Sequence, residues 1–197
     1  MLEVELKSVV DDVDRCRAAV ERAGGQLAFE GRLEDRRWDT PDRAMAGRDH
    51  VLRVRVYRDG TGSRAEVNWK GRTQRDGTYK LREEVGTSIA DAEALEEIFV
   101  QLGYEVSIAI DRQIVQFDLD GAMIRFERYP RMDDLVEVEG SPEQIEQAIA
   151  VLGLPRDGFT TDRLPDFVRR YESRTGGRAA LSDAELSGDA SFDVSNA

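Results

Sequence analysis

Almost every extended stretch of this chain carries full charges on one face and apolar side chains on the other. In residues 2–9, Leu2, Val4 and Leu6 alternate with Glu3, Glu5 and Lys7. Arg53 and Arg55 alternate with Leu52, Val54 and Val56, and Glu66, Asn68 and Lys70 with Val67 and Trp69. Lys80, Arg82 and Glu84 stand opposite Leu81 and Val85, and Arg125 and Glu127 opposite Ile124 and Phe126. Glu137 and Glu139 are set among Leu135, Val136 and Val138. Side chains two residues apart share one face of a strand, so these are period-2 strands. Ser, Thr and Gln, common on wetted sheet faces, are nearly absent from the charged positions. Two folds satisfy such a pattern. One is an open antiparallel sheet with one solvated side. The other is a closed sheet with the charges inside, where arginines need anions and clustered carboxylates need cations.

The connections favour antiparallel pairing. Residues 50–58 and 64–72 flank the short polar loop 59–63, and 104–118 and 122–129 flank Asp120-Gly121, both hairpin signals. Strands are also expected over 26–39, 79–86 and 132–140. Helices are expected over 12–23, over 89–102 with Ser88 as cap and Leu95, Ile98, Phe99 and Leu102 as its lining, from Ser141-Pro142 to about 152, and over 162–173. About eight strands and a few helices predict an α+β domain over 1–173. Residues 174–197 lack apolar periodicity and are expected to be a disordered tail.

The composition narrows the function. The net charge of −12 argues against a nucleic-acid partner. No apolar run approaches the ~18 residues of a membrane span, and the opening residues MLEVELK contain no secretory segment. Cys16 is the only cysteine and His50 the only histidine, which excludes a Cys/His zinc site and makes a reducing, cytoplasmic setting the expectation. Any metal must therefore be held by oxygen.

If the charged faces enclose a ligand, charge matching suggests a triphosphate with divalent metal. Arg53, Arg55, Lys70, Lys80, Arg82, Arg112 and Arg125 supply cations for phosphate oxygens, the arginines through bidentate forks. Glu3, Glu5, Glu127, Glu137 and Glu139 are oxygen ligands suited to Mg²⁺ or Mn²⁺. Each Glu-x-Glu pair sets two carboxylates about 7 Å apart on one strand face.

These residues resemble the motifs of the CYTH superfamily, the triphosphate tunnel metalloenzymes. Glu3, Glu5 and Lys7 resemble its N-terminal Glu-x-Glu-x-Lys strand, and Arg53-Val54-Arg55 its Arg-x-Arg strand. Trp69-Lys70-Gly71, Leu81-Arg82-Glu83-Glu84 and Val136-Glu137-Val138-Glu139 resemble later strands, and Arg163-Leu164 the segment that plugs one tunnel mouth. The resemblance covers about residues 1–172. It implies a closed eight-stranded antiparallel β-barrel tunnel with flanking helices, and catalytic roles for Glu3, Glu5 and Lys7. Two departures stand out: Asp111-Arg112 where relatives carry Lys-x-Arg or Lys-Arg, which implies the loss of one phosphate-binding cation at Asp111, and Glu127 where they carry aspartate, which keeps the carboxylate but lengthens it. The implied activity is metal-dependent hydrolysis of tripolyphosphate, ATP or thiamine triphosphate by a monomer or homodimer. The alternatives are a class IV adenylyl cyclase, releasing cyclic AMP and pyrophosphate from ATP, and a non-catalytic polyphosphate-binding module.

Overall fold

The computed structural model describes residues 2–76 and 79–193, except for the side chains of residues 2, 3, 75, 76, 79 and 80. The strands are β1 (Leu2–Val9), β2 (Gln26–Asp39), β3 (Val51–Asp59), β4 (Gly62–Lys70), β5 (Gln74–Asp76), β6 (Tyr79–Ile89), β7 (Glu105–Leu119), β8 (Ala122–Arg128) and β9 (Leu135–Glu139). The helices are α1 (Val13–Arg22), α2 (Ala92–Gln101), α3 (Pro142–Leu152), α4 (Leu164–Thr175) and α5 (Asp183–Ser187).

The strands pair antiparallel in the order β1-β9-β8-β7-β2-β3-β4-β6, and β1 pairs again with β6, which closes eight strands into a barrel. The short β5 lies against the first half of β6, continuing the line of β4 after a break. The closed barrel expected from the family resemblance is thus what the chain forms, and the open sheet is excluded. Asp120 and Gly121 turn β7 into β8 with φ of 51° and 84°, the positive values that a tight primed hairpin turn requires at both central positions.

Closure decides which face is inside. The apolar faces of β1, β7, β8 and β9 point outward, where Leu6, Phe117, Ile124, Phe126, Val136 and Val138 pack beneath α1 and α3. Cys16 and Val20 of α1 and Ile145, Ile149 and Leu152 of α3 complete this layer. Cys16 is therefore a small core residue. The Asp12 side chain caps α1 through the Arg15 N–H, and a Ser141–Gln144 capping box with Pro142 starts α3. Among the described residues no helix is long and apolar enough to cross a membrane.

A second apolar cluster seals one end of the barrel. Leu164, Phe167 and Val168 of α4 pack on Ile108 and Ile110 of β7 and on Tyr129. The stretch after Arg174, expected to be disordered, takes part in this seal. Leu181 is 2 % exposed within the cluster, Ala180 bridges Arg131 in both directions, and α5 follows with Ser182 as its cap. The Asp111 carboxylate accepts the Asp183 N–H at 3.0 Å and lies 2.8 Å from Arg36. Two or three apolar residues pinned by a single buried carboxylate leave no periodic trace in a sequence.

One helix boundary also differs from expectation. Ser88 lies in β6, which runs on to Ile89 because its second half pairs with β4, and Asp91 caps α2 through the Ala94 N–H. Of the residues expected to line α2, Phe99 meets Trp38 edge-on, but Ile98 and Leu102 are exposed.

Candidate active site

With the apolar faces turned outward, the charged faces converge on a narrow cavity of about 70 Å³ inside the barrel. Among the described residues eight cationic and five acidic side chains line it, an excess of positive charge inside a chain whose net charge is −12. A wall with this balance of charge is one that suits a polyanion.

Three acid–base groupings organise the wall. The first joins β1 to β9. Lys7 pairs in register with Glu137, and its Nζ lies 2.6 Å from Glu137 Oε2 and 3.3 Å from Glu5 Oε2. Burial alone would pull the Lys7 ammonium down, but Glu137, Glu5 and Glu127 outweigh it and hold the charge firmly on. Burial would raise Glu137, yet Lys7, with help from Arg125, holds its carboxyl down to about 2. Two carboxylates thus already face one cationic atom.

The second grouping centres on Asp35 of β2, which is 1 % exposed. Its Oδ2 lies 3.1 Å from Arg55 Nε, 3.7 Å from Arg112 and 3.8 Å from Arg53. Burial works against its charge, but Arg55, Arg53, Arg112 and Arg37 overcome that and hold the carboxyl well below the usual range. Its Oδ1 is buried and accepts no hydrogen bond among the described residues. Arg112 also approaches Glu127 at 3.3 Å, and Glu127 accepts the Tyr129 hydroxyl at 2.6 Å. Burial first, and then Glu127, push the Tyr129 phenol well above its ordinary value, so it remains a donor.

The third grouping joins β3, β4 and β6. Glu84 lies 3.2 Å from both Lys70 and Arg53, and these two cations overcome burial to lower its carboxyl. Arg82 is held by backbone, with Nε donating to the Gly71 carbonyl at 2.8 Å and a terminal nitrogen to the Asp49 carbonyl at 2.7 Å.

The structure therefore brings together Glu5, Lys7, Arg53, Arg55, Lys70 and Arg82 on the cavity wall, and Arg112, Glu127 and Glu137 with them. Arg125 is buried beside this set, donating to Gln116 at 3.1 and 3.0 Å and lying 3.5 Å from Glu137. Glu139 is half-buried at the end of β9, opposite Glu5 in register. The backbones of Glu3 and Lys80 pair with Arg82 and Glu5, while their side chains lie outside the described residues.

Asp111 has a different place from the one expected for a lost phosphate ligand. Being next to Arg112 on one strand, it faces outward, where it fastens Asp183, Arg32 and Arg36. Asp35 and Arg37 enter the cavity without having been singled out in the sequence. Glu34, Asp35, Arg36 and Arg37 are consecutive charges, so β2 shows no alternation from which an inner face could be read. The register with Arg55 and Arg53 on β3 is what identifies it.

The donor chemistry of Glu5, Glu127 and Glu137 suits a hard divalent cation, since all are carboxylates and two already bracket a cationic atom. Among the described residues, no three such groups converge on one point.

Comparison with known proteins agrees with this geometry. A model of the CYTH domain family matches residues 1–149. A Methanocaldococcus jannaschii protein named "Putative adenylate cyclase" is 26% identical over 169 residues, spanning 81% of this chain and 94% of its own length. A Vibrio parahaemolyticus structure under the same description superposes with a TM-score of 0.71 at 18% identity, over 86% of this chain and 98% of its own. A Hippeastrum protein described as a "Putative adenylyl cyclase" with a dominant triphosphatase activity superposes with a TM-score of 0.59 at 12% identity, over 91% of this chain and 99% of its own. At these identities the two structures speak for the fold alone.

Proposed function

Because this chain belongs to the CYTH family, we propose that it is a divalent-metal-dependent triphosphatase acting on tripolyphosphate or on an organic or nucleoside triphosphate. The observation that carries the reading is the cationic excess on the wall of an enclosed cavity within a strongly acidic chain. A linear polyanion entering there would exchange the carboxylate partners of Arg53, Arg55, Lys70, Arg82 and Arg112 for phosphate oxygens, with Lys80 and Arg125 assigned to the same role. Guanidinium forks suit this task because they fix a phosphate in orientation as well as in position.

Glu3, Glu5, Glu127, Glu137 and Glu139 are the groups proposed to hold Mg²⁺ or Mn²⁺. Such an ion, when bound, neutralises phosphate charge and lowers the pKa of a coordinated water. Glu5, together with Glu3, is the proposed catalytic carboxylate. Lys7 holds Glu5 and Glu137 ionised and oriented, which its 3.3 and 2.6 Å contacts support. The arginines around Asp35 are preorganised donors that hold the phosphate chain in the bound substrate and in the transition state alike. A cytoplasmic setting belongs to the same proposal, supported by the buried, unpaired Cys16.

Class IV adenylyl cyclase is the second reading, favoured by the name of the M. jannaschii relative. Product analysis separates the two: orthophosphate for hydrolysis, cyclic AMP plus pyrophosphate for cyclisation. The decisive panel offers tripolyphosphate, ATP and thiamine triphosphate with Mg²⁺ and with Mn²⁺ to wild type and to Glu5→Gln. Turnover that disappears in Glu5→Gln supports the proposal. Full activity in that variant contradicts the role given to Glu5, and binding without turnover in wild type identifies a non-catalytic binding module.

A further inference from the structure

Arg37 differs from every other cation on the tunnel wall. It lies two residues beyond Asp35 on β2, so the two share the inner face and line the same cavity. In register it faces Arg53 on β3 and Ile108 on β7. Ile108 packs with Leu164 and Phe167 of α4, so Arg37 stands at the plugged end of the barrel.

Its neighbours have acids of their own. Arg55 has Asp35 at 3.1 Å, Arg112 has Glu127 at 3.3 Å and Lys7 has Glu137 at 2.6 Å. Among the described residues no carboxylate oxygen lies within 4.0 Å of the Arg37 guanidinium, and its buried Nε donates to no acceptor. Burial, and then repulsion from Arg53, Arg112 and Arg55, pull it down to about 10 against the attraction of Asp35. It is still charged at neutral pH. The side chain is half-buried and its Nε has no acceptor; among the described residues Asp35 attracts it only from beyond 4.0 Å and is shared with Arg55, Arg112 and Arg53, so its compensation is incomplete. The remainder fits a ligand that places its densest negative charge at the blind end.

We propose that Arg37 recognises an unesterified terminal phosphate at the plugged end of the tunnel, so that substrates are triphosphates with at least one free end, entering free end first. A free terminal phosphate offers three non-bridging oxygens and its second negative charge, and an ester removes one of each. This rests on the triphosphate reading of the tunnel, and it adds which part of the substrate meets which residue.

The test measures affinity by calorimetry, independently of turnover, for tripolyphosphate, ATP and the γ-methyl ester of ATP, a small substituent at the terminal phosphate. Wild type is expected to bind the two free-ended compounds about tenfold or more tighter than the ester, as expected for one charge-assisted contact. In Arg37→Gln the free-ended compounds are expected to lose about tenfold or more while the ester changes less than about twofold, so that the gap closes. Arg37→Lys should retain part of the preference. Arg37→Gln should melt within about 2 °C of wild type, because Asp35 keeps Arg55, Arg112 and Arg53 as its contacts. Equal losses for all three ligands, no loss, or an ester that the variant still rejects would overturn the inference. If wild type prefers free ends but turns over no triphosphate, the triphosphatase reading falls while the role of Arg37 stands.

Discussion

Asp35→Asn is the most informative single change in this protein. Asparagine keeps the shape of the side chain and deletes the negative charge that Arg55, Arg112 and Arg53 share at 3.1, 3.7 and 3.8 Å. At an effective dielectric constant of about 20, a unit pair at 3.1 Å is attracted by roughly 5 kcal/mol, and the two longer pairs by roughly 4.5 kcal/mol each. Desolvation of the buried carboxylate offsets most of this gross attraction. The net loss expected when one partner of a buried charge set is removed is about 3–5 kcal/mol. For a chain of this length that corresponds to a fall in Tm of about 6–20 °C. The arginines would then lose the one carboxylate they share, keeping only Glu84, Glu66 and Glu127 at 3.2, 3.7 and 3.3 Å, so an added polyanion should stabilise the variant more than wild type. Wild type should gain about 2.7 kcal/mol at a hundredfold excess of ligand over Kd. The assay is thermal unfolding with and without tripolyphosphate in the absence of metal. A variant melting within about 2 °C of wild type, a difference below ~1 kcal/mol, would refute the account of Asp35 as the internal counter-charge of the phosphate-binding arginines.

Other consequences are measurable. Glu137 titrates at about 2 in the folded protein against an ordinary 4.5, so its contribution is present above pH 4.5 and disappears as the pH falls toward 2. The shift corresponds to about 3 kcal/mol. Lys7→Gln should raise the folded value toward the ordinary one and move the acid limb of the stability curve upward, and an acid titration followed by circular dichroism with an unmoved limb would contradict the Lys7–Glu137 pairing. Leu181→Ala should cost about 2–5 kcal/mol by leaving a cavity under α4, whereas a loose tail would show almost no change in a urea melt. Arg55→Ala should raise KM with kcat nearly preserved, and steady-state kinetics in which kcat alone fell would refute a mainly binding role.

Much of the site could be read from the chain because parity is local. Arg53 and Arg55 stand between apolar neighbours, and Lys70 and Arg82 each follow one, so the face they occupy follows from strand geometry. Asp35 and Arg37 could not be found this way, since both faces of β2 are charged in that stretch. Asp111 departs from the expectation for a related reason: it is adjacent to Arg112, and neighbours on a strand point to opposite faces, so it fastens Asp183 and Arg36 outside the barrel. The start of α2 is ambiguous in the sequence because Ser88 and Asp91 are both competent caps, and pairing of β6 with β4 decides between them.

What the sequence determined unaided was most of the strands, their antiparallel hairpins, and the rule that nearly all of them carry one ionic and one oily side. Those are properties of a few consecutive residues and survive in any tertiary setting. Which side faces inward was decided only when β1 met β6 across the seam and α1 and α3 covered the oily exterior. An open sheet would show the same alternation, because the free energy that separates the two arrangements lies in contacts between residues far apart in the chain. The seal at the blind end is of the same kind: Leu181, Asp111 and Leu164 are unremarkable where they stand in the chain, and only folding brings them together.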